Sequence, residues 1–230
     1  MQILSKIDRF PVNDWTKEVP RKCFVQRDST ILGICKGRKV LHVGACDAPF
    51  DLEKGQRGDL LHQKIQSVAS RVVGVDVDTG AIEALRSIGI DDILEADICT
   101  ESILDGETFD VVLCCDVIEH VGQPGPLLAG CRRHMREDTK LIVTTINATA
   151  LKPALRALRS RESVHDDHVA YYSYATLGKL LVSEGLRPVE FGVFSYPTVN
   201  PVVGWFSKNL MKKAPATADG ILFQAELFEQ

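Results

Sequence analysis

The sequence predicts an α/β fold, a mostly parallel β-sheet with helices on both faces. Three observations carry that expectation. Lys39–Gly44 and Arg71–Asp76 are short, continuous, β-branched runs, one breaking at a glycine and the other ending in a carboxylate. Such runs mark strands buried on both faces, as in a parallel sheet. Between them Asp59–Ala69 carries apolar residues at positions 60, 61, 65, 68 and 69, which is helical spacing. Strand, turn, helix and strand make a βαβ unit with a right-handed crossover. Finally, 230 residues of ordinary soluble composition, with 45% hydrophobic and 25% charged residues, supply enough chain for a sizeable core.

The elements follow in order. Residues 1–37 precede the sheet; Trp15, Phe24 and Ile31–Cys35 are apolar enough to pack, so this segment is expected as a helical cover in front of a domain spanning 38–230. After the first strand, the polar stretch 49–58 with Gly55 and Gly58 reads as a long loop at the C-terminal edge of the sheet, where function concentrates. Thr79–Ile88 reads as a helix capped by Asp78 or Thr79, and Asp92–Ile98 as a third strand that delivers Asp97. Phe109–Cys115 is a fourth strand, followed by a helix over Pro124–Met135 with Pro126 in its first turn. Thr139–Asn147 is a fifth strand, and Ala150–Arg161 a helix with a basic face. Ser163–Ser173 breaks the periodicity with ionisable and aromatic residues; Ser173 then caps a helix that stops at Gly185. Arg187–Tyr196 and Ile221–Phe228 close the sheet, and between them Pro197–Pro215 is an amphipathic segment that packs on its own domain or touches a membrane surface.

A βαβ unit leaves a helix N-terminus and a carboxylate at one sheet edge, where nucleotides bind. A dinucleotide fingerprint needs Gly-x-Gly-x-x-Gly with an acid about 20 residues on. Here only Gly44 fits: Cys46 stands at the next glycine position and Asp76 lies 32 positions downstream. That disfavours an NAD-dependent dehydrogenase. The motifs over residues 38–185 instead resemble the class I S-adenosylmethionine (SAM)-dependent methyltransferases. They are the glycine turn at 44, the strand-end acids Asp76 and Asp97, and the run Phe109-Asp-Val-Val-Leu-Cys-Cys-Asp-Val-Ile-Glu-His120. Ser163–Ser173 is similar to the segment that precedes a helix in many small-molecule and sugar methyltransferases of that family.

The resemblance implies a Rossmann-like three-layer sandwich, a seven-stranded mostly parallel sheet with the last strand antiparallel. It implies SAM as cofactor, with His42, Gly44, Ala45 and Cys46 at the turn and Asp76 and Val77 at the ribose. Asp97 and Ile98 fall at the adenine, and Asp116 near the amino-acid end or the methyl. His42 departs from the acid the family often carries there, and Cys46 and Ala48 replace glycines. The implied reaction is O-methylation of a sugar or another small hydroxylated acceptor by in-line transfer, as in free-standing bacterial enzymes of this type. For the acceptor's proton the candidates are His120, His165 and His168, with Asp166 and Asp167 as partners, because histidine titrates near neutrality. The competing structural reading is that His120 caps a helix and His168 satisfies a loop. A metal is not expected from His165, Asp166, Asp167 and His168, which stand too close in sequence to require one. A non-catalytic SAM- or nucleotide-binding regulatory module is the alternative of a different class.

Composition sets the remaining expectations. A net charge of −4 argues against a nucleic-acid partner. Leu41–His120 holds 17 acidic against 5 basic residues, and Cys131–Arg161 reverses the balance with 8 basic against 2 acidic. An acidic half followed by a basic stretch suits a cationic sulfonium and an anionic small-molecule acceptor; the plainer reading is solvated helix faces. No run approaches the ~20 apolar residues of a membrane span, and the N-terminus lacks a signal-peptide core. Seven cysteines without framework spacing suit a reducing, cytoplasmic compartment.

Overall fold

A computed structural model describes residues 4–196 and 201–228. Its strands are β1 (Ser5–Lys6), β2 (Lys39–Val43), β3 (Arg71–Asp76), β4 (Ile93–Glu95), β5 (Val111–Cys115), β6 (Lys140–Ile146), β7 (Leu186–Phe194) and β8 (Gly220–Leu227). They form one sheet in the order β1-β7-β8-β6-β5-β2-β3-β4. β2 pairs in parallel with β3 and β5, β3 with β4, and β5 with β6. β8 runs antiparallel between β6 and β7, as expected of the last strand. The eighth strand, β1, is the addition: two residues of the N-terminal segment pair antiparallel with the outer edge of β7. Two residues are too few for the sequence pattern to register as a strand.

The helices are α1 (Arg27–Cys35), α2 (Asp51–Arg57), α3 (Leu61–Gln66), α4 (Thr79–Arg86), α5 (Pro124–Arg133), α6 (Leu151–Ala157), α7 (Tyr174–Ser183) and α8 (Pro201–Lys213). The apolar runs that predict the central strands are buried on both faces, Val111–Cys115 along its whole length. One apolar layer gathers Leu41, Val43, Val112 and Leu141 with Leu127 and Leu177 from α5 and α7. The opposite layer gathers Val40, Val111 and Leu113 with Ile31 of α1 and Ile65 of α3. Asp78 caps α4 by accepting from Ala81 N, and Ser173 and Thr176 form a reciprocal capping box at α7.

Three local expectations are corrected. The stretch 49–58, read as a loop, contains α2, with Asp51 and Glu53 in its first turn and Arg57 in its last, which complements the helix dipole. Gly55 obscures it in sequence yet is needed in space: a Cβ there would lie 2.5 Å from Ile88 Cδ1, so the glycine lets α2 close on the segment after α4. The third strand spans only Ile93–Glu95, leaving Asp97 two residues beyond its end. Trp15, expected to pack, is fully exposed, whereas Phe24 bridges to Val193 and Ile31 is buried. The described part of 1–37 holds one helix, α1, together with β1 and extended chain. Of the amphipathic segment 197–215, residues 197–200 lie outside the described residues, and α8 exposes Trp205 while burying Met211. Among the described residues no helix is long and apolar enough to cross a membrane.

Candidate active site

β3, β2 and β5 end side by side at the same edge of the sheet. Gly44 follows β2 with φ +69°, a left-handed conformation that favours glycine. A Cβ at this position would also meet Val117 Cγ2 at 2.2 Å, so the turn needs glycine for both backbone and space. The N–H groups of Gly44 and Ala45 donate to Val75 O at 2.9 and 3.3 Å, which closes the turn onto β3. Cys46 N donates to Asp76 Oδ2 at 2.9 Å, and Val77 N and Asp78 N donate to Asp76 Oδ1 at 2.8 and 3.1 Å. The Asp76 carboxylate thus fixes the turn after β2 to the start of α4 from the end of β3. Val77 beside it is exposed. Burial first, and Asp76 second, push the Cys46 thiol up, so it is a neutral group here.

Asp97 accepts from Cys99 N at 2.9 Å and Thr100 Oγ1 at 3.2 Å. The Cys99 N–H is the main reason its carboxyl lies below the usual range. Ile98 is buried, and its carbonyl accepts from Arg133 Nη2 at 2.6 Å. His42, expected at the turn, faces the other way along β2. It is buried with Nδ1 3.2 Å from His62 Nδ1 of α3, and His62 Nε2 lies 3.1 Å from Asp92. Burial first, and His62 next, hold His42 well below the usual imidazole range, hence uncharged.

At the end of β5, Asp116 has φ +55°, uncommon for a side-chain-bearing residue though tolerated by aspartate. Thr144 Oγ1 donates to its Oδ1 at 2.8 Å, and Arg27 Nη2 to its Oδ2 at 2.7 Å. Arg27 was not foreseen. It begins α1, 89 residues from its partner, and no local pattern could announce the pair. Burial opposes its charge most, and Asp116 together with Cys115, Tyr196 and Asp28 more than offsets that, so the guanidinium pKa is raised. Phe194 lies under it, 5.9 Å from ring centroid to guanidinium carbon.

Beyond Val117 a short 3-10 turn, Ile118–His120, turns Glu119 inward and leaves His120 exposed. Glu119 is buried, accepts from Thr145 Oγ1 at 2.7 Å, and has its carboxyl pushed up to about 7, by burial first and Asp116 next. Its carbonyl accepts from Val169 N and Ala170 N at 2.9 and 3.1 Å, which draws the segment 163–173 onto the end of β5. The three histidines proposed as bases therefore meet: the His168 ring lies 4.7 Å from His120 and 5.0 Å from His165, centroid to centroid. Asp167 faces His165 at 3.6 Å, not His168, and Asp166 is exposed. His168 Nδ1 is buried with no partner among the described residues. One donor atom each of Glu119, His120 and His168 lies within 4.8 Å of the others. Sequence reasoning gives Glu119 no role of its own, because nothing in a strand-end sequence says which side chain turns inward.

Residues 52–143 match a methyltransferase domain, a stretch that starts just after the glycine turn and runs to β6. A ubiquinone biosynthesis O-methyltransferase of Glaesserella parasuis is 28% identical over 127 residues, 50% of this chain and 48% of that protein. A second protein of that name, from Hahella chejuensis, is 29% identical over 42% of each chain. The chain thus spans about half the length of the curated relatives it matches. Among solved structures, a SAM-dependent methyltransferase from Archaeoglobus fulgidus superposes with a TM-score of 0.57 at 18% identity, covering 87% of this chain and 91% of the other. Magnesium protoporphyrin IX methyltransferase from Synechocystis, with S-adenosylhomocysteine (SAH) bound, gives a TM-score of 0.55 at 12% identity over 87% and 82% of the chains. Sheet order, matched domain and relatives agree in likening this chain to the class I SAM-dependent methyltransferases, whose fold it has.

Proposed function

We propose that the chain transfers the methyl group of SAM to a hydroxyl oxygen of a small acceptor received beside His120 and His168. The observation that carries this reading is the Asp76 carboxylate, anchored at that sheet edge by Cys46 N and Val77 N. A carboxylate there suits a ribose diol, and the donor set as a whole fits the cofactor. Asp97 with Ile98 lies on the adenine side. Asp116, already neutralised in part by Arg27, stands toward the cationic end. When bound, SAM supplies an electrophilic methyl on a positive sulfur. The chain's task is to hold the acceptor oxygen in line behind that methyl and to take its proton. His168, with His120 against it, is the group for the proton, and Asp167 acts on His165 at the rim. The O-methyltransferase names of the relatives support oxygen as the methylated atom. Arg156 on α6 suits an acceptor that carries negative charge.

Two measurements test this. Calorimetry should detect SAH binding to the intact chain, and Asp76→Ala should weaken it by roughly 10- to 100-fold, the worth of a hydrogen bond to a charged group. Radiolabelled SAM incubated with a fractionated extract should label a small hydroxylated compound. An intact, folded chain that binds no SAH would overturn the reading.

A further inference from the structure

We infer that Glu119, His120 and His168 form a binding site for one divalent transition-metal cation of the zinc class. The inference rests on the methyl-transfer reading for its role and on geometry alone for its existence. Two imidazoles and a carboxylate each bring a donor atom within 4.8 Å of the others, close enough for a single ion to touch all three after small side-chain rotations. The ligands come from two segments that are held together independently of any ion. Val169 N and Ala170 N are bonded to Glu119 O, and Ala148 N to Tyr172 O at 2.7 Å. The histidine segment is therefore tied down immediately after His168, which fixes His168 against the turn that carries Glu119 and His120.

Two details separate this cluster from a chance meeting of polar groups. His168 Nδ1 is buried and lacks a protein partner among the described residues, an expensive state for a nitrogen lone pair or N–H. Glu119 is buried yet oriented by the Thr145 hydroxyl, the arrangement in which an outer partner aims a metal-binding carboxylate. The chemistry selects the ion. Two His and one carboxylate match transition-metal sites that leave a coordination position open, whereas magnesium prefers oxygen ligands throughout. Because His120 is exposed, the open position faces solvent, from which the acceptor arrives. A cation there would acidify the acceptor hydroxyl so that its proton passes to solvent water before methyl transfer; His120 and His168 would then act as ligands, and the proton-accepting role given them above would pass to water.

The test uses the full chain, freed of metal by chelation, and titrates it calorimetrically with zinc chloride. One equivalent should bind, raising the unfolding temperature. His168→Ala and His120→Ala should each weaken binding by more than about tenfold, and Thr145→Val by about tenfold. Seven free cysteines offer a competing explanation. Cobalt(II) substituted into the site should therefore show ligand-field bands without a thiolate charge-transfer band. SAH is titrated in parallel into the same metal-free proteins. Loss of zinc binding in the histidine variants with SAH binding kept supports the site. If native chain binds SAH but not one equivalent of zinc, or if the double variant His120→Ala/His168→Ala binds zinc as tightly as the native chain, the site is refuted and methyl transfer stands. If zinc binds through the histidines but SAH does not bind, the site is upheld and the methyl-transfer reading falls.

Discussion

Gly44→Ala is the most informative single change, because two separate costs fall on one methyl group. At φ +69° an L-residue pays about 1–2 kcal/mol for the left-handed conformation. The new Cβ would sit 2.2 Å from Val117 Cγ2, so Val117 or the turn must move. Overpacking of this kind typically costs about 1–3 kcal/mol. Together these give a destabilisation of about 2–5 kcal/mol; for a chain of this size each kcal/mol lowers Tm by about 2–4 °C. Urea unfolding of Gly44→Ala, Val117→Ala and the double variant separates the terms. The double variant removes the clash but keeps the backbone cost, so the cycle should show a favourable coupling of about 1–3 kcal/mol between the two substitutions. SAH affinity should fall in Gly44→Ala, because the displaced turn carries the Cys46 N–H away from Asp76. A loss of stability below about 0.5 kcal/mol, the range of an inconsequential surface change, would refute the argument. So would additive effects in the cycle.

Three further outcomes are expected. Arg27→Met leaves Asp116 without its guanidinium; since both side chains are partly exposed, the cost is set at about 1–2 kcal/mol, below that of a fully buried pair, and denaturant titration measures it. Asp110→Asn tests a carboxylate that accepts from Lys39 N at 2.8 Å and pairs with Arg136, partners that hold it below the usual range, the backbone N–H first. Its folded pKa is depressed, so its stabilisation is present above the unfolded value of about 4 and is lost as pH falls through the folded one. The stability gap between native chain and variant should accordingly be full at pH 7 and shrink as the pH is lowered past 4 in urea titrations. Ser173→Ala removes half of the capping box on α7 and should cost about 1 kcal/mol. Hydrogen exchange should show that loss first at the N–H groups of 174–176.

What the sequence made legible were the parts with local physics. Buried parallel strands read as continuous β-branched runs, so β2, β3, β5 and β6 were visible, as was the cap at Ser173. Gly44 and Asp76 were visible because a turn ends β2 and a carboxylate ends β3, whereas Asp97 was read as ending a strand that stops two residues earlier. Groupings that span the topology were not. Arg27 reaches Asp116 only after α1 folds over the sheet, and Glu119 turns inward through a 3-10 turn with no signature of its own. Helix α2 was hidden because Gly55, usually a breaker, is there to let two helices approach. His42 was misleading in a related way. Its strand position suggests the turn, but strand alternation hands its ring to α3, where His62 meets it.

The placement of β8 has a consequence for how the molecule is made. β6 pairs with β8 through partners such as Leu141 and Ala225, and β7 joins the sheet only through β8, apart from its outer edge strand β1. A nascent chain can zip β2 to β6 early, but the free margin of β6 must then wait for a segment some 80 residues later in synthesis. Until that segment docks, a row of unsatisfied amides and carbonyls lies open to any extended neighbour. Loop closure on that scale is slow to be rewarded. The interval before β8 arrives is therefore the period of greatest exposure to misassembly and to chaperones.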